Sequence, residues 1–257
     1  MDSLLRKVFD KCLSITSSFE GASYGGSSGN FDGMGASAFA LQWNIGQRTL
    51  QPLLMAMYQK DYIKFKNLIG DENKTQLLTD LCLAPDRETI QDFITLATIG
   101  KPFSIPQGKE NIFFRGGISL RPEWINIFKV LGENFRDQQL DAAQHYFDQA
   151  IGECKKFRLD TERSISFMFD FCVQRGKGNL SDEEKEFLSI PVRPDTVDDD
   201  DRTLNWILVH DTAEIKSQWQ ADCRARRNCI INDGGVVHGR EYDLGGEFGL
   251  TDDQILP

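Results

Sequence analysis

Two carboxylates flank a glycine-rich stretch near the start of the chain. Glu20 lies between Phe19 and Gly21, and Asp32 opens the run Asp32-Gly33-Met34-Gly35-Ala36-Ser37. Such a pair is the minimum equipment for acid/base cleavage of a glycosidic bond. A carboxylic acid protonates the leaving oxygen, and a carboxylate on the opposite face activates water or attacks the anomeric carbon. Glu20 suits the acid role, because an aromatic neighbour desolvates a carboxyl and favours its protonated form, while a following glycine lets substrate approach closely. Asp32, in polar glycine-rich sequence, suits the ionised partner that holds the water. Each also has a plainer reading: Glu20 as an exposed acid at a helix end, and Asp32 as a turn residue of a common Asp-Gly dipeptide.

The elements that must position this pair are legible from periodicity. Leu4, Leu5, Val8, Phe9, Cys12, Ile15, Thr16 and Phe19 recur at three and four residues, which predicts a helix ending at or just before Glu20. From Gly21 to Gly35, glycines among serines and Asn30 favour turns and short irregular strands. A second helix is expected from near Gln47, carrying Leu50, Leu53, Leu54, Ala56 and Met57. Further helices are expected over Tyr62 to Ile69, Lys74 to Leu81, Glu88 to Thr98, Pro122 to Leu131, Asp137 to Lys156, Asp160 to Arg175 and Thr203 to Ala225. Asp233-Gly234-Gly235 and Gly239 mark a loop-rich tail. The fold class that follows is α+β, mainly α, with one small β element near Asp32. Residues 1–257 read as a single domain, or as one domain of a longer protein.

Composition narrows the function classes. With 257 residues, 40% hydrophobic and 11% aromatic, the chain can bury a core for one domain or two packed lobes. A formal net charge of -10 argues against nucleic acid as a partner. Most of the excess lies between Asp182 and Asp201, a solvated loop by its composition; Asp198 to Asp201 lack the spacing and glycine of a calcium-binding loop, so no metal and no cofactor is expected. No run approaches the ~18 apolar residues of a membrane span, and charged residues interrupt Met1 to Ile15, which therefore reads as neither signal peptide nor anchor. Cys12, Cys82, Cys154 and Cys172 fall among apolar residues as buried thiols. Cys223 and Cys229 leave three readings open: a local disulfide, a Cys/Cys/His zinc site with His238, or two free thiols.

The order of these features resembles the lysozyme superfamily: a helix ending in Glu, a glycine-rich hairpin with the second carboxylate, and a helical remainder. Asp32-Gly33-Met34-Gly35-Ala36-Ser37 resembles the Asp-Gly-x-Gly-x-Thr element of family-46 chitosanases, with Ser37 where those enzymes place a threonine that helps orient the water. Phe169-Asp170-Phe171-Cys172-Val173-Gln174-Arg175-Gly176 is similar to their Tyr-Asp-x-x-x-Gln-His-Gly segment. Leu41-Gln42-Trp43-Asn44-Ile45-Gly46-Gln47 and Val237-His238-Gly239-Arg240-Glu241-Tyr242-Asp243-Leu244 resemble bacterial muramidase domains, including those of type VI secretion effectors.

The resemblance implies a lysozyme-like, two-lobed helical domain with a small sheet beside an active-site cleft, using Glu20 as acid, Asp32 as base and Ser37 as second ligand of the water. It favours inversion, for which carboxylates stand roughly 6.5–9.5 Å apart, against ~5–5.5 Å for a covalent intermediate. Gln42, Trp43 and Asn44 are candidate sugar ligands, with Trp43 equally a core residue. Asp170 must bind substrate or find buried partners, and His238 binds substrate or orders its loop. Arg224, Arg226 and Arg227 face solvent or meet anionic peptide stems. The expected activity is a muramidase cleaving the MurNAc–GlcNAc bond of peptidoglycan glycan strands in the bacterial periplasm or cell wall, delivered by a secretion machine or released by lysis. An immunity protein is the expected partner of such an antibacterial toxin. Chitosanase and a non-catalytic sugar-binding domain are the rival readings.

Overall fold

A computed structural model of the chain describes residues 2–21, 23–30, 33–83, 86–100, 103–107, 111–115, 119–175, 186, 199–214 and 217–257. It is mainly helical with small antiparallel sheets, and it divides into two compact units. An inserted unit spans Glu20–Ala142, and a terminal unit combines Met1–Phe19 with Ala143–Pro257. Among the described residues no helix is long and apolar enough to cross a membrane.

The inserted unit opens with a three-stranded antiparallel sheet of two-residue strands, β1 (Ser27–Ser28), β2 (Ser37–Ala38) and β3 (Trp43–Asn44). Ser37 sits between Ser28 and Asn44 in register. Helices α2 (Leu50–Lys60), α3 (Tyr62–Ile69), α4 (Glu72–Leu83), α5 (Arg87–Ala97) and α6 (Pro122–Asn134) follow, then the start of α7 (Arg136–Phe157). Their ends are written in the sequence. Asp61 accepts from the Lys64 amide to start α3, Gly70 ends it at φ 67°, and Asp86 accepts from the Thr89 amide to start α5. Phe39, Leu54, Met57, Phe65, Phe93, Ile94 and Phe128 form the core. Phe93 meets Trp124 edge-on at 5.0 Å between centroids.

A single β element was expected here, but a second hairpin joins β4 (Phe103–Gln107) to β5 (Asn111–Arg115). β5 carries Ile112 and Phe114 inward and donates from their amides to Gly46 O and Gly33 O at 2.9 and 2.7 Å. Strand β5 thus clamps the chain on either side of the β2–β3 hairpin.

In the terminal unit α1 (Ser3–Phe19) packs on α8 (Glu162–Arg175), burying the predicted stripe of Val8, Phe9, Cys12, Ile15 and Phe19. Phe9, Phe147 and Phe169 are fully or almost fully buried there, each contributing about 1.5–3 kcal/mol. The helix expected over Thr203 to Ala225 is two: α9 (Asp199–Glu214) and α10 (Ser217–Ile231). Arg227 pairs with Asp211, sixteen positions earlier, a span that would hold them about 24 Å apart along one straight helix. The tail expected to be loop forms a hairpin, β6 (Gly234–Val237) and β7 (Arg240–Asp243), followed by α11 (Leu244–Phe248). Val236-Val237 ahead of a two-residue His238-Gly239 turn is the local reason.

Candidate functional site

Glu20 is the first residue beyond α1 and is half-buried. The aromatic ring before it is turned into the terminal unit: Phe19 meets Tyr242 edge-on at 5.1 Å and lies 5.6 Å from the Arg226 guanidinium carbon. Asp32 lies outside the described residues. The loop on either side of it is firmly held, however. Buried Asn30 accepts from Gly35 N at 2.8 Å through its Oδ1 and donates to Phe114 O at 3.2 Å through its Nδ2. Gly35 has φ 85°, and a Cβ there would stand 2.9 Å from Ile94 Cδ1 and 3.0 Å from Phe114, so a larger residue would strain the backbone and crowd both side chains. Asn30 was not singled out from sequence. Its signal was the tendency of Asn in glycine-rich sequence to bond the backbone two or more residues on.

Ser37 stands on β2 with 3% of its surface exposed. Gln42, at φ 50°, closes the turn between β2 and β3: Oε1 accepts from Ser28 Oγ at 2.8 Å, and Nε2 donates to Phe39 O at 3.1 Å. Asn44 holds the next turn, accepting from Gln47 N at 2.8 Å and donating to Gln47 Oε1 at 2.9 Å. Their amides brace the sheet. Trp43 is 5% exposed, so its indole belongs to the core and offers no open face to a sugar.

No protein-family model and no curated protein matches the chain. The site therefore has to be judged on its own chemistry.

Asp170 and His238 belong to the terminal unit. Asp170 is fully buried and accepts from Arg226 Nη2 at 2.5 Å through Oδ1, an internal ion pair that leaves Oδ2 without a hydrogen-bond partner among the described residues. Arg227 is also fully buried. It pairs with Asp211, and its guanidinium carbon lies 5.2 and 5.9 Å from the Phe171 and Phe167 ring centres. The expectation that Arg224, Arg226 and Arg227 face solvent or a wall peptide holds for Arg224 alone, the other two being core residues. In sequence only half of the signal was present: Asp170 falls among apolar neighbours and needs an opposite charge to be buried, whereas Arg226 stands beside Arg224, Arg227 and Asn228 in a polar run.

His238 is exposed over 57% of its side chain, with Nδ1 2.9 Å from Phe19 O and Nε2 on the Asp222 carboxylate. Its ring is engaged by oxygen, and the zinc reading gains no geometry from it. Cys223 and Cys229 are buried and unbridged. Burial pushes the Cys229 thiol up to about 11 and the Cys12 thiol to about 12, and it raises Cys223 as well, which makes them poor nucleophiles. Among the described residues no cluster of three His, Cys, Asp or Glu side chains gathers as metal ligands. Cys82, expected to be buried, is only half-buried. His210 stacks on Trp206 with ring centroids 4.1 Å apart.

Ser37 and Asn44 thus pair on adjacent strands with Gln42 in the turn between those strands, while Asp170 and His238 serve contacts inside the terminal unit. For chemistry, this leaves a carboxyl at a helix end and a rigidly flanked glycine-rich loop that carries a second one.

Proposed function

We propose that the chain is a peptidoglycan hydrolase, a muramidase with a lysozyme-like two-lobed fold that cleaves the β-1,4 MurNAc–GlcNAc bond by inverting acid/base catalysis. Glu20 protonates the glycosidic oxygen, Asp32 takes a proton from the attacking water, and Ser37 assists in orienting that water. The observation that carries this reading is the order of elements: α1 stops at Phe19 so that Glu20 follows it directly, and a small antiparallel sheet then brackets the loop of Asp32. The rigid flanks of that loop suit a base that must be held in place before the substrate arrives. The protein acts in the bacterial cell wall as an antibacterial effector, with an immunity protein as the partner that protects the producer.

Chitosanase activity is the second reading, favoured by the formal charge of -10, which suits a polycationic glycan better than an anionic wall. Mass spectrometry of fragments from purified peptidoglycan and from chitosan separates the two. Muropeptides with reducing MurNAc ends are expected. Products from chitosan alone would establish the rival, and sugar binding without turnover would make this a non-catalytic domain.

A further inference from the structure

The last turn of α1 is held from outside the helix. Carbonyls at a helix C-terminus have no partner within it, and α1 has no basic side chain in its last turn to meet them. Two residues of the C-terminal hairpin meet them instead. Tyr242 Oη donates to Ser18 O at 2.8 Å, and His238 Nδ1 stands 2.9 Å from Phe19 O, while Nε2 meets the Asp222 carboxylate on α10. Both neighbours of the imidazole are acceptors, so both bonds form together only when both ring nitrogens carry protons.

The backbone of the turn points the same way. His238 and Gly239, the two residues between β6 and β7, have φ of 51° and 80°. Positive φ at both positions is the pattern of a type I′ turn, for which Asn-Gly and Gly-Gly are the favoured pairs. Histidine is held in the left-handed region, where its side chain gains the two contacts that a glycine would lack.

Phe19 O belongs to the planar peptide group that also contains the nitrogen and Cα of Glu20. Fixing that oxygen fixes the direction in which Glu20 leaves the helix. We propose that His238 is a positioning residue for Glu20, acting through the Phe19 carbonyl, and not a sugar ligand. Its catalytic consequence rests on the reading of Glu20 as the general acid.

The test uses the full chain with His238→Gly, which removes the ring without straining the turn, and His238→Asn, which keeps an N–H donor in a residue suited to it. The carboxyl and amide NMR signals of Glu20 are expected to move in His238→Gly and to return towards the parent in His238→Asn. On peptidoglycan, His238→Gly should lower kcat about tenfold and leave KM within about twofold, with His238→Asn recovering most of the loss. Unmoved Glu20 signals in His238→Gly, or a raised KM with kcat intact, would overturn the proposal. Should His238→Gly fail to fold, Asp222→Asn removes the carboxylate anchor of the ring and reads the same signals, again with movement expected and its absence fatal. A Glu20→Gln variant as active as the parent would sink the acid role while the NMR comparison still decides whether His238 positions Glu20.

Discussion

The two units differ in the charge they bury. In the terminal unit Glu153, Glu162, Arg163, Asp170, Asp200, Arg226 and Arg227 are all buried, each held by an opposite charge or by backbone and hydroxyl donors. Among the described residues of the inserted unit the buried polar side chains are uncharged: Asn30, Ser37, Gln51, Thr75, Thr98 and Gln139. Amides can brace several backbone groups without the large desolvation cost of an ion, and they suit the two-residue strands and turns of this unit's small sheet. Buried ion pairs demand mutual geometry, and they tie together segments far apart in sequence.

Removing half of a buried pair should produce the largest effect. Arg226→Met leaves Asp170 buried without its cation, and a loss of about 3–5 kcal/mol is expected in denaturant unfolding. Adding Asp170→Leu should recover much of it, and failure to do so would remove the contrast between the units. Next comes Gln139 in the inserted unit, whose Nε2 donates to Tyr24 O and Gly132 O at 3.1 and 2.9 Å while Oε1 accepts from Ala40 N at 3.1 Å. Gln139→Leu strands those groups and should cost about 1–3 kcal/mol. The smallest effect is expected at the partly exposed Arg163–Asp252 pair, where the guanidinium holds the Asp252 carboxyl below its ordinary value. A depressed folded value means stability that is present above the unfolded pKa of about 3.9 and lost as pH falls through the folded one. Melting curves should therefore separate Asp252→Asn from the parent near pH 6 and converge as the pH falls below the depressed folded value. A gap that persists in acid would mean the pair acts through packing.

How much was legible follows from where each signal resides. Helix α3 was expected over its full observed span, Tyr62–Ile69, because Asp61 and Gly70 mark its ends locally. The stripe from Leu4 to Phe19 likewise gave α1 and the place of Glu20. The hairpins at Phe103–Arg115 and Gly234–Asp243 were missed, since four- or five-residue strands carry little periodicity and His238 is an unusual residue for a two-residue turn. Arg226 and Arg227 were read as surface because pairing with Asp170 and Asp211 is a tertiary fact that spacing on α10 cannot reveal. The candidate site was legible as composition and order. The engagement of Gln42 and Asn44 in their own turns was not, because the same amides can serve a sugar or a backbone.

The central claim, that Glu20 and Asp32 perform acid/base cleavage of a glycan, is tested most directly by reducing-end release from purified peptidoglycan by the parent, Glu20→Gln and Asp32→Asn. The parent should release reducing ends, and each variant should fall by about 10²–10⁴-fold while remaining folded. Turnover by either variant at the rate of the parent would contradict the account.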